Sequence, residues 1–248
     1  MKEQDRQRAI HRKLARAPEV STRGAIATPW AELDTALGAG GLPRGRIIEI
    51  FGPSGSGKTT VALLMAACVQ NSGGTAGWID AEHAFDAAYA GSLGVSLDSL
   101  PLAQPESAEQ AFEIIRQLTA SGAVDLLVVD SAAALVPALE LETSLGESSA
   151  GLQSRALATG LPTLARAVAK SDAVILFLNQ TRSLSHSSGE AETSAGGPSL
   201  KLHAALRIAL EAAGGARIRF RVVKNKSGEA FRQGELRLSS GGRRSECP

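Results

Sequence analysis

Gly52–Thr60 reads GPSGSGKTT, and it satisfies the pattern G-x-x-x-x-G-K-[ST] at Gly52, Gly57, Lys58 and Thr59. The chemistry needs these residue types at this spacing. Glycines let consecutive backbone N–H groups curl around a β-phosphate, a lysine reaches the β/γ oxygens, and a hydroxyl in the last place holds Mg2+. The phosphate also meets the positive end of the helix that follows. The flanks agree with this reading. Arg46–Phe51 (RIIEIF) is an apolar strand entering the loop, and Val61, Leu64, Met65 and Cys68 recur at helical spacing beyond it. Gly52, Pro53, Ser54, Gly55, Ser56, Gly57, Lys58, Thr59 and Thr60 are therefore candidate nucleotide-binding residues, with Thr59 also a candidate Mg2+ ligand.

Working outward, the 248 residues suffice for one large α/β domain. Hydrophobic residues at 44% and charged residues at 21% are ordinary for a soluble globular protein. No apolar run approaches the roughly 18 residues of a membrane span, and the polar N-terminus does not read as a secretory signal, so the expected location is cytoplasmic. Two cysteines, Cys68 and Cys247, make neither a disulfide framework nor a metal-ligand spacing, and both read as unpaired thiols. Net charge is +1, but it is unevenly spread: Met1–Arg16 carries six Lys/Arg against two acids, and Arg217–Lys226 carries five Lys/Arg and no acid. Either segment could face phosphates, and either could be a solvated face.

Taken in order, residues 1–16 read as a short basic helix and 17–29 as a linker. Trp30–Leu37 reads as a short helix. Ala76–Asp80 (AGWID) is a strand with Asp80-Ala81-Glu82-His83 at its C-terminal end, the edge where ligands bind in open α/β sheets. Asp86–Leu93 reads as a helix carrying the sole tyrosine, Tyr89. Ser107–Ala120 is a helix capped by Ser107, with Gln110 completing a capping box. Val124–Asp130 (VDLLVVD) has the apolar continuity of a central parallel strand. Its terminal Asp130, following a phosphate loop, stands at the usual second Mg2+ position. Leu139–Ala150 reads as a loop, and Gly151–Lys170 as a helix that Pro162 should kink or split. Ala173–Leu178 is another buried strand, ending in Asn179-Gln180. Residues 181–197 read as a long functional loop. Ala204–Leu210, Arg217–Val223 and Phe231–Leu238 read as closing strands that could add an antiparallel edge. Alternating strand and helix gives an α/β fold with a central, mainly parallel sheet covered by helices on both faces and extra C-terminal strands.

Five motifs in this order, LGAGGLPRGRIIEIFGPSGSGKTT, IDAEHAFD, AVDLLVVDSAAAL, FLNQTR and VVKNK, resemble those of RecA, the bacterial DNA recombinase family, from about Trp30 to Leu238. The resemblance implies a P-loop NTPase of RecA type: a DNA-dependent ATPase using ATP and Mg2+. It implies three segments: an N-terminal basic helix and linker over 1–29, the ATPase core over 30–240, and a tail over 241–248. By position, Glu82 looks like the carboxylate that orients and deprotonates the attacking water, Asp130 like a Mg2+ residue, and Gln180 like the γ-phosphate sensor. Asp86 and Tyr89 look like the pair beside the base. Lys224 and Lys226 match lysines that reach the ATP of a neighbouring subunit, completing catalysis only in a filament. Arg155, Arg182 and Lys201 fall where DNA phosphates would be touched, in or beside two loops at about Glu142–Gly151 and Thr181–Gly197.

The chain also departs from the family pattern. Ala150 and Ser185 stand where apolar wedges enter base steps, Leu184 where a basic residue is usual, Pro162 where an arginine is expected, and Ser240 where an aromatic lies near the nucleotide. The N-terminal helix reads as abbreviated, and the chain is expected to be a form without the family's C-terminal domain. The expectation is a short form or paralogue that binds single-stranded DNA (duplex secondarily), self-associates into filaments, serves recombination, repair and the SOS response, and has an SOS repressor or translesion polymerase as a possible partner. The competing reading is a RecA-like regulatory or accessory protein of damage-induced mutagenesis with weak or no DNA-stimulated ATPase.

Overall fold

The computed structural model describes residues 23–142, 151–184, 191–194 and 196–238. The elements run as β1 (Ala25–Ile26), α1 (Ala31–Leu37), β2 (Leu42–Pro43), β3 (Arg46–Gly52), α2 (Lys58–Asn71), β4 (Ala76–Asp80), α3 (Ala87–Ser92), β5 (Leu102–Ala103), α4 (Ala108–Ser121), β6 (Leu126–Asp130), α5 (Ala138–Glu142), α6 (Leu152–Val168), β7 (Val174–Leu184), β8 (Ala191–Ser194), α7 (Pro198–His203), β9 (Leu206–Ala212), β10 (Arg217–Asn225) and β11 (Gln233–Arg237).

The apolar runs become the middle of one sheet, ordered β11-β10-β9-β3-β7-β6-β4-β5. From β9 to β5 all pairings are parallel, and β10 and β11 add the antiparallel edge. Side chains alternate across a strand, so a continuous apolar run feeds two cores at once. Leu126 and Val128 enter the core beneath α1 and α2, while Leu127 and Val129 enter the one beneath α4 and α6. β7 divides in the same way, with Phe177 fully buried against the α4 and α6 side. Phe177→Ala should destabilise the protein by about 3–5 kcal/mol, read as a fall in the urea unfolding midpoint at unchanged slope.

Some expectations are revised. The helix around Pro162 is one continuous α6. It is not split at the proline, and Leu157, Leu161, Leu164 and Val168 are buried along its length. Part of 181–197 is strand: β7 continues to Leu184 and pairs antiparallel with β8. Between that segment and β9 lies α7, with Pro198 in its first turn, where proline's pre-set φ suits a helix start. The capping of α4 is split. Ser107 Oγ accepts from Gln110 N at 3.2 Å, but the Gln110 side chain accepts from Glu106 N at 2.6 Å rather than from Ser107. Within the stretch read as a linker, Ala25–Ile26 pairs with Leu42–Pro43. Cys68 is not a free thiol but disulfide-bonded, since a cysteine count alone does not fix pairing; Cys247 lies outside the described residues. The basic helix expected over 1–16, most of the loop at 139–150, and Ala150, Ser185 and Ser240 also lie outside them.

Candidate nucleotide site

Four parallel strands reach the same edge of the sheet, and each delivers a polar group there. β3 ends in the glycine loop, β4 in Asp80, β6 in Asp130, and β7 passes through Gln180. Backbone register sets Gly52 opposite Gln180 and Asp80 opposite Asp130.

The loop is shaped for close approach to backbone. A Cβ on Gly52 would lie 2.3 Å from the Leu210 carbonyl oxygen, and one on Gly57 would lie 2.3 Å from Ile218 Cδ1. Gly57, at φ 85°, is the left-handed residue from which α2 starts. Lys58 Nζ folds over the loop, donating to the carbonyls of Gly52 at 3.1 Å and Pro53 at 2.8 Å. Burial pushes its ammonium pKa down, against the opposing pull of Asp130 and Glu82. Ser56 is buried, whereas Pro53, Ser54 and Gly55 face outward.

Thr59 Oγ1 donates to Asp130 Oδ2 at 3.0 Å, so the two residues expected at Mg2+ are in contact. Asp130 is pushed up to about 6, first by burial and then by the nearby Glu82 and Asp80 carboxylates, against the Thr59 hydrogen bond and Lys58. A cluster of oxygen donors in which a carboxylate resists ionising is a donor set suited to a hard divalent cation, whose charge would restore the anion.

Glu82 is reached through a built turn. Asp80, buried at 2% exposure, accepts from the backbone N–H groups of Ala84 and Phe85 and from Gln104 Nε2 at 2.8 Å. Ala81 N and Glu82 N both donate to the Asp130 carbonyl. The exposed Glu82 carboxylate is held from one side by Ser131 Oγ, which donates to Oε1 at 2.5 Å. Asp80 and Ser131 thus join the site, and in the sequence only their closeness to Glu82 and Asp130 points to them.

Asp86 and Tyr89 meet around the first turn of α3, where Asp86 Oδ1 accepts from Tyr89 N at 2.9 Å. Tyr89 Oη, on a ring 41% exposed, hydrogen-bonds Thr60 Oγ1 at 2.8 Å. That joins the tyrosine to the phosphate loop. Gln180 is exposed at the end of the loop-side register, with its backbone N–H donating to Asn179 Oδ1 at 2.9 Å.

The sequence matches the family described as RecA N-terminal domain over residues 9–242. This chain belongs to the RecA family. It is 48% identical over 226 residues to Protein RecA of Caldanaerobacter subterraneus, covering 87% of this chain and 66% of that relative. It is 46% identical to Protein RecA of Gluconobacter oxydans (92% of this chain, 69% of the relative) and 41% identical to that of Caulobacter vibrioides (96% and 74%). The chain thus spans about two thirds of the length of the curated relatives it matches.

The remaining candidates lie away from the phosphate loop's own hydrogen bonds. Lys224 Nζ donates to the carbonyls of Lys201 at 2.7 Å and Leu202 at 3.1 Å, at the C-terminal end of α7. Burial pushes its ammonium down, as do Lys226 and Arg207, with Glu49 opposing. Lys226 is exposed at the end of the same edge, its backbone N–H donating to Ala205 O. Arg155 is exposed on α6 and Lys201 on α7, while Arg182 lies on β7 in register opposite Thr193. α6 and α7 pack together, and the segment entering α7 is pressed on α6: Cβ atoms at Gly196 and Gly197 would strike Leu157 and Ser154. The ends of both expected DNA loops therefore converge on α6. Among the described residues no helix is long and apolar enough to cross a membrane.

Proposed function

We propose that this chain is a DNA-dependent ATPase of recombination and repair. In this reading it binds single-stranded DNA, assembles with copies of itself into a filament, and hydrolyses ATP at the filament's subunit boundaries. The observation that carries this is the register of Gly52 with Gln180. It puts the phosphate cradle beside the residue from which the strand leading to the second DNA loop departs, so one γ-phosphate can be felt at both.

The roles follow from chemistry. The Gly52–Thr60 backbone and Lys58 hold the triphosphate. Thr59 and Asp130 hold Mg2+, which when bound screens charge on the phosphate oxygens. Glu82 orients water and takes its proton, with Ser131 fixing the carboxylate's rotamer. Asp86 and Tyr89 flank the base. Gln180 senses the γ-phosphate, and Lys224 and Lys226 offer positive charge to a neighbouring copy's nucleotide, as an arginine finger does. To do so, Lys224 must exchange its two α7 carbonyls for phosphate oxygens. Arg155, Arg182 and Lys201 supply sequence-independent phosphate contacts that weaken with salt. A cytoplasmic site of action, a part in the SOS response and contact with a repressor or translesion polymerase belong to the same reading.

The test is ATP turnover with and without single-stranded DNA, with Lys58→Ala as the blank. Strong stimulation that falls as salt rises is the expected result. Turnover indifferent to DNA would instead favour the accessory role, which the substituted positions Leu184, in the second loop, and Pro162, on the helix after the first, motivate.

A further inference from the structure

Glu49 and Arg207 are charged residues inside the core, and the nucleotide chemistry above uses neither. Glu49 interrupts the apolar run of β3 and is fully buried, and Arg207 on β9 is 7% exposed. A buried ion pair pays a desolvation penalty that good geometry only repays, and apolar replacements of similar volume are commonly as stable. Its presence mid-sheet therefore asks for a reason other than stability.

The geometry supplies one. Glu49 stands in register with Arg207 on one side and with Phe177 of β7 on the other. Its Oε2 accepts from Arg207 Nε, and its Oε1 accepts from Asn179 Nδ2 at 2.9 Å. Asn179, also buried, spends its Oδ1 on the backbone N–H of Gln180 at 2.9 Å. The Arg207 guanidinium lies over the Phe51 ring, 4.4 Å from its centroid, one residue before the phosphate loop. Across the next strand, Arg207 is the register partner of Lys224. One buried carboxylate thus has Gln180 at the end of one arm and Lys224 at the end of the other.

We propose that Glu49, Asn179 and Arg207 form a positioning network that holds Gln180, which faces the chain's own nucleotide, in fixed relation to Lys224, which serves a neighbour's. This rests on the function proposed above. A shift of the Gln180 backbone cannot occur without moving the Asn179 amide, and that amide cannot move without leaving a buried polar atom unmatched. The network therefore passes a displacement on instead of absorbing it. It gives the filament a route from ATP in one site to the lysine presented at the next.

Two variants separate this from simple structural support. Asn179→Ala cuts the Gln180 arm. Glu49→Gln with Arg207→Met keeps an acceptor for Asn179, cuts the Lys224 arm and leaves no charge buried alone. In each, binding of a fluorescent ATP analogue without DNA should stay within about threefold of wild type, whereas DNA-stimulated kcat should fall about tenfold or more at little-changed KM. Hydrogen exchange supplies a readout independent of turnover. The difference between ATP-analogue and ADP states across residues 180–184 and 198–203 should be present in the wild type and lost in Asn179→Ala.

Wild-type protein without DNA stimulation overturns the proposed function and leaves the exchange measurement to decide the network. An exchange difference that survives in Asn179→Ala, or one absent from the wild type, overturns the network. So does DNA-stimulated turnover within about twofold of wild type in both variants, or a parallel loss of nucleotide binding and turnover in both.

Discussion

Glu82→Gln is expected to lower ATP turnover by about 10²–10⁴-fold while leaving nucleotide affinity nearly unchanged. Glutamine is close in shape and keeps an oxygen able to accept the Ser131 hydroxyl, now 2.5 Å from Glu82 Oε1. The turn is held by Asp80 and by the Asp130 carbonyl, neither of which the substitution touches. What disappears is the capacity to take a proton from water. Lys58→Ala gives the contrasting signature, since it removes a cation from the cradle and should abolish both binding and turnover. The measurement is kcat and KM with single-stranded DNA, together with analogue binding without it. Turnover in Glu82→Gln within a few-fold of wild type would remove Glu82 as the base, and Asp80 would not replace it, because its carboxylate is already spent on two backbone N–H groups and Gln104.

The parts of this molecule that were legible in the sequence are those where local chemistry admits one solution. GPSGSGKTT has to be a loop between strand and helix, because Gly57 needs a left-handed backbone and Gly52 has no room for a side chain. VDLLVVD has to lie mid-sheet, because only two facing cores can bury Leu126, Leu127, Val128 and Val129 in succession. The parts that were not legible depend on distant partners. Glu49 is conspicuous within RIIEIF, but nothing local names Arg207, 158 residues away, as its counter-ion. The contact of Lys224 with the end of α7 is likewise set by strand order. Pro162 as a point where the helix splits misleads in the opposite sense: its backbone preference is local, and α6 runs through it with an apolar face buried on both sides. The catalytic edge was readable residue by residue, while the wiring between its residues needed the sheet.

Asp130→Asn should raise the stability of the nucleotide-free protein by about 1–3 kcal/mol at pH 7 and abolish Mg2+-dependent turnover. Asp130 has an ordinary pKa of 3.8 that burial, Glu82 and Asp80 push up to about 6. A carboxyl raised in the folded state binds its proton more tightly there than in the unfolded chain. Well below pH 3.8 both states are protonated and the residue costs nothing. As pH rises through 4 to 6 the unfolded chain ionises first, so stability is lost across that window and the loss is complete above it. At 1.36 kcal/mol per pH unit the cost is about 3 kcal/mol at pH 7 and about 1 at pH 4.5. Asparagine keeps a hydrogen bond to Thr59 and escapes the cost, so the gap in melting temperature between variant and wild type should widen from pH 4.5 to pH 7. Adding Mg2+ with a non-hydrolysable ATP analogue should close or reverse the gap, because only the wild type gains a cation ligand and binding stabilises the state that binds. A gap that is flat with pH would mean that Asp130 is ionised at no cost. A gap that ignores Mg2+ and nucleotide would mean that the cost has no bearing on the metal. The expected pattern, strain in the empty site relieved by the ligand, is how a site built for function spends stability.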